Sequence, residues 1–169
     1  MKIKSLVILS AAFVSMSISA QTSFEKLEAN KDINTVVVSQ KMFQMLSKRD
    51  SKDADAKEFM EVANKLKGMK IFTTENTTAA TQMKTEALAY VKTAALSELM
   101  RVKDIAQNVK FYTKGGKDAN NVAELLMLVE PSGTSKQTVV LSLTGDINLN
   151  KIGVLTKNMN LPQEVKDLK

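Results

Sequence analysis

Cysteine, histidine and tryptophan are absent from this chain of 169 residues. The lack of cysteine excludes disulfides and a lipid carried on an N-terminal cysteine, and with the lack of histidine it excludes the usual zinc sites. A serine nucleophile would have no imidazole base and would need a lysine or a carboxylate instead. These absences exclude zinc-dependent enzymes and those with a serine-histidine triad.

Arginine and aromatic residues are scarce as well. Arg49 and Arg101 are the only arginines, aromatic residues make up 5% of the chain, and the net charge of +6 comes from lysines spread along the sequence. Nucleic-acid-binding proteins typically gather arginine side chains and stacking aromatics on one basic surface. The composition therefore predicts a solvated lysine surface and no nucleic-acid partner.

The first twenty residues are typical of a secretory signal peptide. Lys2 and Lys4 precede an apolar run from Leu6 to Val14, and small residues follow up to Ala20. The run is too short and too rich in serine to cross a bilayer, which requires about 20 apolar residues. We therefore expect removal of residues 1–20 and an exported protein, periplasmic or extracellular, that carries neither a lipid nor an integral membrane segment.

Few proline and glycine residues interrupt the rest of the chain, so residues 21–169 are predicted to form a single domain. Ser39 can cap a helix whose apolar face holds Met42, Met45 and Leu46. The predicted elements are a strand over 33–39, that helix, a second helix over 54–67, a strand over 69–74, a long alanine-rich helix from Thr78 to Met100, and strands near 108–114, 122–129 and 137–145.

The predicted order is β-α-α-β-α-β-β-β, followed by a helical tail built on Ile152, Leu155 and Met159. Short connections make the last three strands an antiparallel meander, and right-handed crossovers would place the large helices on one side of the sheet. We therefore expect an α+β fold of two layers, with helices over one face of a mixed sheet of about five strands. The opposite face would be open and would carry Lys110, Tyr112, Lys114, Ser142 and Thr144.

The segment TGDINLNKIG, residues 144–153, places Asp146, Asn148 and Asn150 at alternate positions, as an EF-hand calcium loop begins. Such a loop needs glycine at its sixth position and glutamate at its twelfth. Here both positions hold lysine, Lys151 and Lys157. We interpret the segment as a strand end whose asparagines cap the following helix, and we predict no metal site.

Other candidate sites fit ordinary structure better. The Met42–Met45 pair matches two thioether copper ligands, but packing in the core of its helix is the favoured interpretation. Asp55, Glu58 and Glu61 could supply paired acids on one helix face, which is more typical of a solvated face. The GGK stretch at 115–117 lacks the frame of a phosphate-binding loop. No catalytic, cofactor-binding or metal residue is assigned, no cofactor is predicted, and the ligand-binding residues and oligomeric state stay open.

Six segments in order resemble a family of small exported Bacteroidetes proteins defined only as a domain of unknown function; they are VSQKMFQML, LKGMKIFTTEN, SELMRVKD, VKFYTK, ELLMLVE and LTGDINLNKI. The resemblance covers nearly the whole mature chain. It implies no activity, cofactor or catalytic residue for any position. Members are often encoded near extracytoplasmic-function sigma factors, which implies a context of envelope stress or surface signalling.

Two functions from different classes stay open. The first is a non-enzymatic cell-envelope protein that binds an unknown protein or small ligand, through the open sheet face or the groove beside the long helix. The second is a hydrolase or lyase that works with carboxylates alone. An open apolar surface would favour the binding protein, and two buried carboxylates converging in a cleft would favour the enzyme.

We predict that the mature protein begins at Gln21 and carries no acyl group, because the leader ends in small residues and no cysteine follows. The intact mass of the exported protein measures this directly. A mass that still contains residues 1–20, or one increased by a fatty acid, would contradict the prediction.

Overall fold

A computed structural model describes residues 24–48, 54–103, 105–118, 120–133 and 136–151, without the side chain of Asp55. The predicted signal peptide and the predicted helical tail lie outside these residues. The helices are α1 (Glu25–Glu28), α2 (Gln40–Ser47), α3 (Ala54–Ala63) and α4 (Thr77–Thr93), with a 3-10 turn at Leu149–Lys151. The strands are β1 (Asn34–Ser39), β2 (Leu66–Thr74), β3 (Ser97–Lys103), β4 (Gln107–Gly115), β5 (Asn121–Pro131) and β6 (Thr138–Asn148).

The strands form one sheet of six in the order β1-β2-β6-β5-β4-β3, and every neighbouring pair is antiparallel. The α+β fold class and the C-terminal meander are therefore confirmed. The prediction of about five strands in a mixed sheet is wrong. The sixth strand is β3, which lies within and just beyond the segment that the sequence predicted as the end of the long helix.

Alternation along the strands separates the apolar side chains into two clusters, one on each face of the sheet. In β5, Leu125 and Met127 belong to the first cluster, whereas Leu126 and Leu128 belong to the second. The same division holds in β2, where Met69 lies on the first face and Phe72 on the second. Because β5 is apolar on both faces, both faces need a cover.

Different helices cover the two faces. Phe43 of α2 and Val62 of α3 pack in the first cluster, whereas Leu27 of α1 and Met83 of α4 pack in the second. The prediction of two layers with helices on one face is therefore wrong. The handedness rule for crossovers applies to parallel strands. The strands joined by α2 and α3 are antiparallel neighbours, so these helices can lie on the face opposite α4.

The side chains that were expected on an open face do share one face, but α1 and α4 lie over it. Tyr112 and Ser142 are buried, and Tyr112 packs in the cluster that contains the apolar residues of α4. Lys84 of α4 and Lys110 of β4 both contact Glu130 of β5, with Nζ–Oε distances of 2.7 and 2.8 Å. The face that was expected to be open is thus partly covered, with Tyr112 and Ser142 buried and Lys114 exposed.

Helix α4 ends seven residues earlier than predicted, at Thr93 rather than Met100. The N–H of Leu96 donates to the carbonyl of Val91, and the N–H of Ala95 donates to the carbonyl of Lys92. These two bonds form a Schellman motif, in which the residue after the cap adopts the left-handed conformation that glycine favours. Here that residue is Ala95, with φ of 54°. The helix therefore stops without a glycine or proline to mark its end.

We expect Ala95→Gly to raise the free energy of unfolding by about 1 kcal/mol, since the left-handed conformation costs a residue with a Cβ roughly 1–2 kcal/mol and glycine loses part of that gain as backbone entropy. Urea denaturation of both proteins measures the difference. Ala94→Gly is the matched control, because Ala94 has an ordinary right-handed φ of −84° and glycine there should bring no gain. An equal or lower stability of Ala95→Gly would contradict the Schellman interpretation.

Candidate functional site

A groove of about 350 Å³ opens beside the C-terminal part of α4, on the sheet face that α1 and α4 cover. Its floor is formed by residues of β2 and β6, its walls by Phe24 and Tyr90, and its rim by the edge strand β1 and the start of α2. The floor residues are Gly68, Lys70, Ser142 and Thr144, and the rim includes Val37, Ser39 and Gln40. Binding sites for small ligands typically have volumes from about 300 Å³ upwards.

The floor is polar because two strands present hydroxyl and amine side chains at neighbouring positions of one face. Ser142 pairs with Lys70, and Thr144 pairs with Gly68. The Thr144 hydroxyl donates to the Gly68 carbonyl at 3.3 Å. A Cβ at Gly68 would lie 3.3 Å from the Thr144 hydroxyl oxygen, so the absence of a side chain leaves that hydroxyl accessible from the groove.

A buried tyrosine and a buried glutamate, joined by a hydrogen bond, lie next to this floor. The Tyr90 hydroxyl donates to Glu124 Oε1 at 2.5 Å, and Glu124 is 7% exposed. Glu124 lies on β5 directly opposite Thr144. The ring of Phe24 packs 4.9 Å from that of Tyr90, measured between centroids. The pair is therefore closed off on one side by an aromatic contact and borders the groove on the other.

Burial raises the pKa of the Glu124 carboxyl above its ordinary value, while the Tyr90 hydrogen bond and the charge of Lys114 act in the opposite direction. Burial, followed by the hydrogen bond and the charge of Glu124, raises the pKa of Tyr90 well above 10. Burial therefore disfavours the charged form of each group. Both groups are hydrogen-bond donors or acceptors, so the pair can hold a ligand by hydrogen bonds.

Sequence reasoning did not single out Tyr90 or Glu124. Glu124 is the only acidic side chain among the buried residues of the described part of the chain. The available signal was an acid inside the apolar run VAELLMLV, which is unusual because an unpaired buried carboxylate is costly. Its partner is 34 residues away on a different element, so the pair itself has no local signature.

The acids that were considered for paired catalysis lie elsewhere. Glu58 and Glu61 of α3 both face Lys151, with Nζ–Oε distances of 3.6 and 3.3 Å. The side chain of Asp55 lies outside the described residues. Glu58 and Glu61 thus form surface ion pairs, and neither approaches the groove by any contact that the structure records.

The segment that resembles a calcium loop begins inside a strand. Strand β6 ends at Asn148, whose Oδ1 accepts the N–H of Asn150 at 2.9 Å and opens the 3-10 turn. Lys117 Nζ lies 2.8 Å from the Asp146 carboxylate and, as the largest influence, lowers its pKa. The asparagine therefore caps a turn at a strand end, and a lysine ammonium group occupies the place next to the aspartate. No group of three or more potential metal-binding side chains occurs among residues 24–151 where these are described.

The prediction that Met42 and Met45 pack in the core is wrong. Both side chains are exposed, Met45 by 53%, whereas Phe43 is the buried residue of α2. Val36 and Val37 of β1, the strand that leads into α2, are also exposed, by 51% and 55%, and their side chains lie on opposite faces of the sheet. An exposed apolar surface of this kind, rich in methionine, is typical of a site that contacts another molecule.

A second exposed apolar surface lies at the far edge of the sheet, on β3 and the residues after it. Leu99, Met100 and Val102 are exposed, and Ile105 is 91% exposed. In the part of the chain that the structure describes, no helix is both long and apolar enough to cross a membrane. The two apolar surfaces thus occur at the two open edges of the sheet.

A family model described as Domain of unknown function (DUF4252) matches residues 24–155. No curated protein and no solved structure matches the chain. The match begins at Phe24, a wall of the groove, and includes both edge strands.

We expect Glu124→Gln to become more stable relative to the parent as the pH rises. The raised pKa of Glu124 means that its contribution to stability is fully present below about pH 4.5 and is lost as the pH rises through the folded-state pKa. Glutamine does not titrate and can still accept the Tyr90 hydrogen bond. Urea denaturation at several pH values between about 4 and 8 measures the difference between variant and parent.

The same substitution at Glu61, which is exposed on α3, serves as the matched control for the loss of one carboxylate. A difference for Glu124→Gln that stays constant, or that falls as the pH rises, would contradict the assignment of a buried carboxyl with a raised pKa.

Proposed function

Since the chain belongs to the DUF4252 family, whose description assigns no activity, we propose that it is an exported, non-enzymatic binding protein. We infer that it holds an extended segment of a partner protein at the edge of β1. The observation that carries this proposal is the combination of an exposed, uncharged edge strand with a polar groove that opens beside it.

Strand β1 is suited to pairing with another strand. It pairs with β2 on one side, and no described strand pairs with it on the other. Its sequence NTVVVS contains no charged residue and no proline, although natural edge strands are usually protected by lysine, proline or a bulge. An unprotected edge of six residues, about 20 Å long, can accept a partner strand through main-chain hydrogen bonds.

The groove supplies what strand addition alone lacks, which is selectivity for side chains. Val37 lies on the groove side of β1, opposite Lys70, while Val36 lies on the other face, opposite Ile71. An added strand would place every second side chain on the face of Val37. Because Val37 is short, a long partner side chain can pass over it toward Lys70, a floor residue on the strand next to β1.

The other face of β1 offers an apolar contact for the remaining side chains of such a strand. Val36, Met42 and Met45 are all exposed. Methionine adapts its shape to different apolar partners. The two faces of an added strand would thus meet different chemistry, with the amine of Lys70 on one side and apolar groups on the other.

A carboxylate-dependent hydrolase or lyase is the alternative. It would require two acidic groups that converge on a substrate. The groups recorded around Glu124 are Tyr90 and the positive charge of Lys114, which support hydrogen bonding to a ligand rather than proton transfer between two carboxyls. The cell-envelope location, and the stress or surface-signalling context implied by the resemblance, belong to the same proposal.

Selection of random displayed peptides on the immobilised mature protein tests strand addition at β1. We expect peptides with alternating side chains to bind the parent and to lose about tenfold or more in affinity, about 1.4 kcal/mol, in Val37→Lys. The reason is that a lysine on an edge strand disfavours a further strand. Isothermal titration calorimetry measures the affinities, and the melting temperature shows whether the variant is folded.

Val102→Lys is the matched control, because it makes the same change on the edge strand at the other end of the sheet. Peptides that bind Val37→Lys as tightly as the parent, or that lose affinity only in Val102→Lys, would exclude β1 as the binding edge. A selection that yields no peptide would count against an extended segment as the ligand.

A further inference from the structure

We propose that β3 pairs with β3 of a second copy of this chain, in antiparallel orientation about a two-fold axis, so that two six-stranded sheets become one. This inference is independent of the proposed function, because it concerns the opposite edge of the sheet.

The outer side of β3 has the exposure that such pairing requires. All seven residues of Ser97–Lys103 are exposed. The strand pairs with β4 on its inner side, and no described strand lies beyond it. Three of its side chains, those of Leu99, Met100 and Val102, are large and apolar. Its three charged residues and its register shift are features that usually protect an edge, so a partner strand must complement these charges.

An irregularity in β3 places its two opposite charges on the same face. Glu98 lies opposite Tyr112 and Arg101 lies opposite Lys110, with a shift of register between Glu98 and Met100. Tyr112 and Lys110 are two residues apart and therefore share a face. Glu98 and Arg101 share that face as well, although three residues separate them along the chain. In a regular strand, residues three positions apart lie on opposite faces.

This geometry makes the edge complementary to itself. In antiparallel pairing about a two-fold axis between residues 99 and 100, Glu98 lies opposite Arg101 of the second copy, and the reverse pair follows by symmetry. Ser97 then lies opposite Val102 of the second copy. Oppositely charged cross-strand pairs stabilise a sheet, whereas like charges destabilise it. Both directly opposed pairs of charges in this register are attractive.

The ion pair between Arg101 and Glu98 within one chain leaves N–H donors available for an ion pair with the second copy. Arg101 Nη2 and Nε lie 2.7 and 3.1 Å from the two carboxylate oxygens of Glu98. A guanidinium group has five N–H donors. The remaining donors can bind the carboxylate of the second copy, so that the four charges alternate in sign around the axis.

Pairing of β3 with β3 of a second copy fits this edge better than pairing of β3 with β1 of another molecule. That arrangement is head-to-tail and would produce an open filament, whereas the two-fold arrangement closes as a dimer. Strand β1 also has no charged residue to meet Glu98 and Arg101. One strand pair of this length buries less than the roughly 800 Å² per partner of a standard stable interface. The dimer should therefore dissociate at micromolar concentrations.

Sedimentation equilibrium of the mature protein over a range of concentrations tests the proposal. We expect a monomer–dimer equilibrium for the parent, and a dissociation constant at least about tenfold weaker for Glu98→Arg and for Arg101→Glu, since each places like charges opposite one another. The double variant Glu98→Arg with Arg101→Glu should restore dimerisation, because the opposite charges then face each other again.

Two controls separate this interface from other effects. Lys57→Glu makes the same charge reversal at an exposed position of α3 and should dimerise like the parent. Val37→Lys should also dimerise, whereas Val102→Lys should not, which is the reverse of the result expected for peptide binding. Circular dichroism of each variant verifies that it is folded.

Three outcomes would overturn the proposal. The first is a parent that stays monomeric up to about millimolar concentration. A dissociation constant of that size corresponds to a binding free energy of only about 4 kcal/mol. The second is dimerisation of the two single charge variants that equals that of the parent. The third is the formation of oligomers larger than a dimer by the parent but not by Val37→Lys. This result would indicate head-to-tail pairing of β3 with β1.

Discussion

Burial of β5 and β6 on both faces is the constraint on which the rest of the architecture depends. Leu125 and Leu126 are consecutive residues, and both are buried, in different clusters. A strand of this kind is stable only if apolar groups lie above and below it. Because the strands joined by α2 and α3 are antiparallel neighbours, the chain can place those helices on one face and α1 with α4 on the other.

Polar groups on the second face determine how α4 sits there. Lys84 reaches Glu130, and the Tyr90 hydroxyl reaches Glu124, so two positions of the helix are bonded to two acids of β5. Each acid would be costly to bury without a partner. The helix stops at Thr93 and does not extend over the whole face. The uncovered part, over β2 and β6 next to β1, is the groove.

An open antiparallel sheet has two edges, and in this protein they differ in chemistry. Strand β1 is uncharged and borders the groove, and the proposed addition of a partner strand rests on these two features. Strand β3 has both signs of charge on one face and apolar side chains between them. A surface that attracts its own copy must be complementary to itself under a two-fold rotation, and β3 meets that condition where β1 has no charges to pair.

Local sequence determined the features that depend on neighbouring residues. Ser39 caps α2 by accepting the N–H of Met42, and the GGK stretch turns between β4 and β5. The last strand was predicted over 137–145, and β6 continues three residues further, to Asn148. Strand alternation also predicted correctly that Lys110, Tyr112 and Ser142 share a face. These features follow from periodicity and from hydrogen bonds between residues close in the chain.

Features that depend on distant contacts were decided only by the tertiary structure. The end of α4 has no sequence signal, since alanine occupies the left-handed position after its cap. Leu96 and Val91 stabilise this turn by packing against the sheet. Which stripe of α2 is buried, Phe43 rather than Met42 and Met45, depends on where α3 and β2 lie. Glu124 and Tyr90 meet because a helix crosses a strand 34 residues away. The sequence by itself determined the class of fold and the order of most elements. Only the tertiary structure decided the face of each helix, the groove and the two edges, because these arise where segments distant in the chain come into contact.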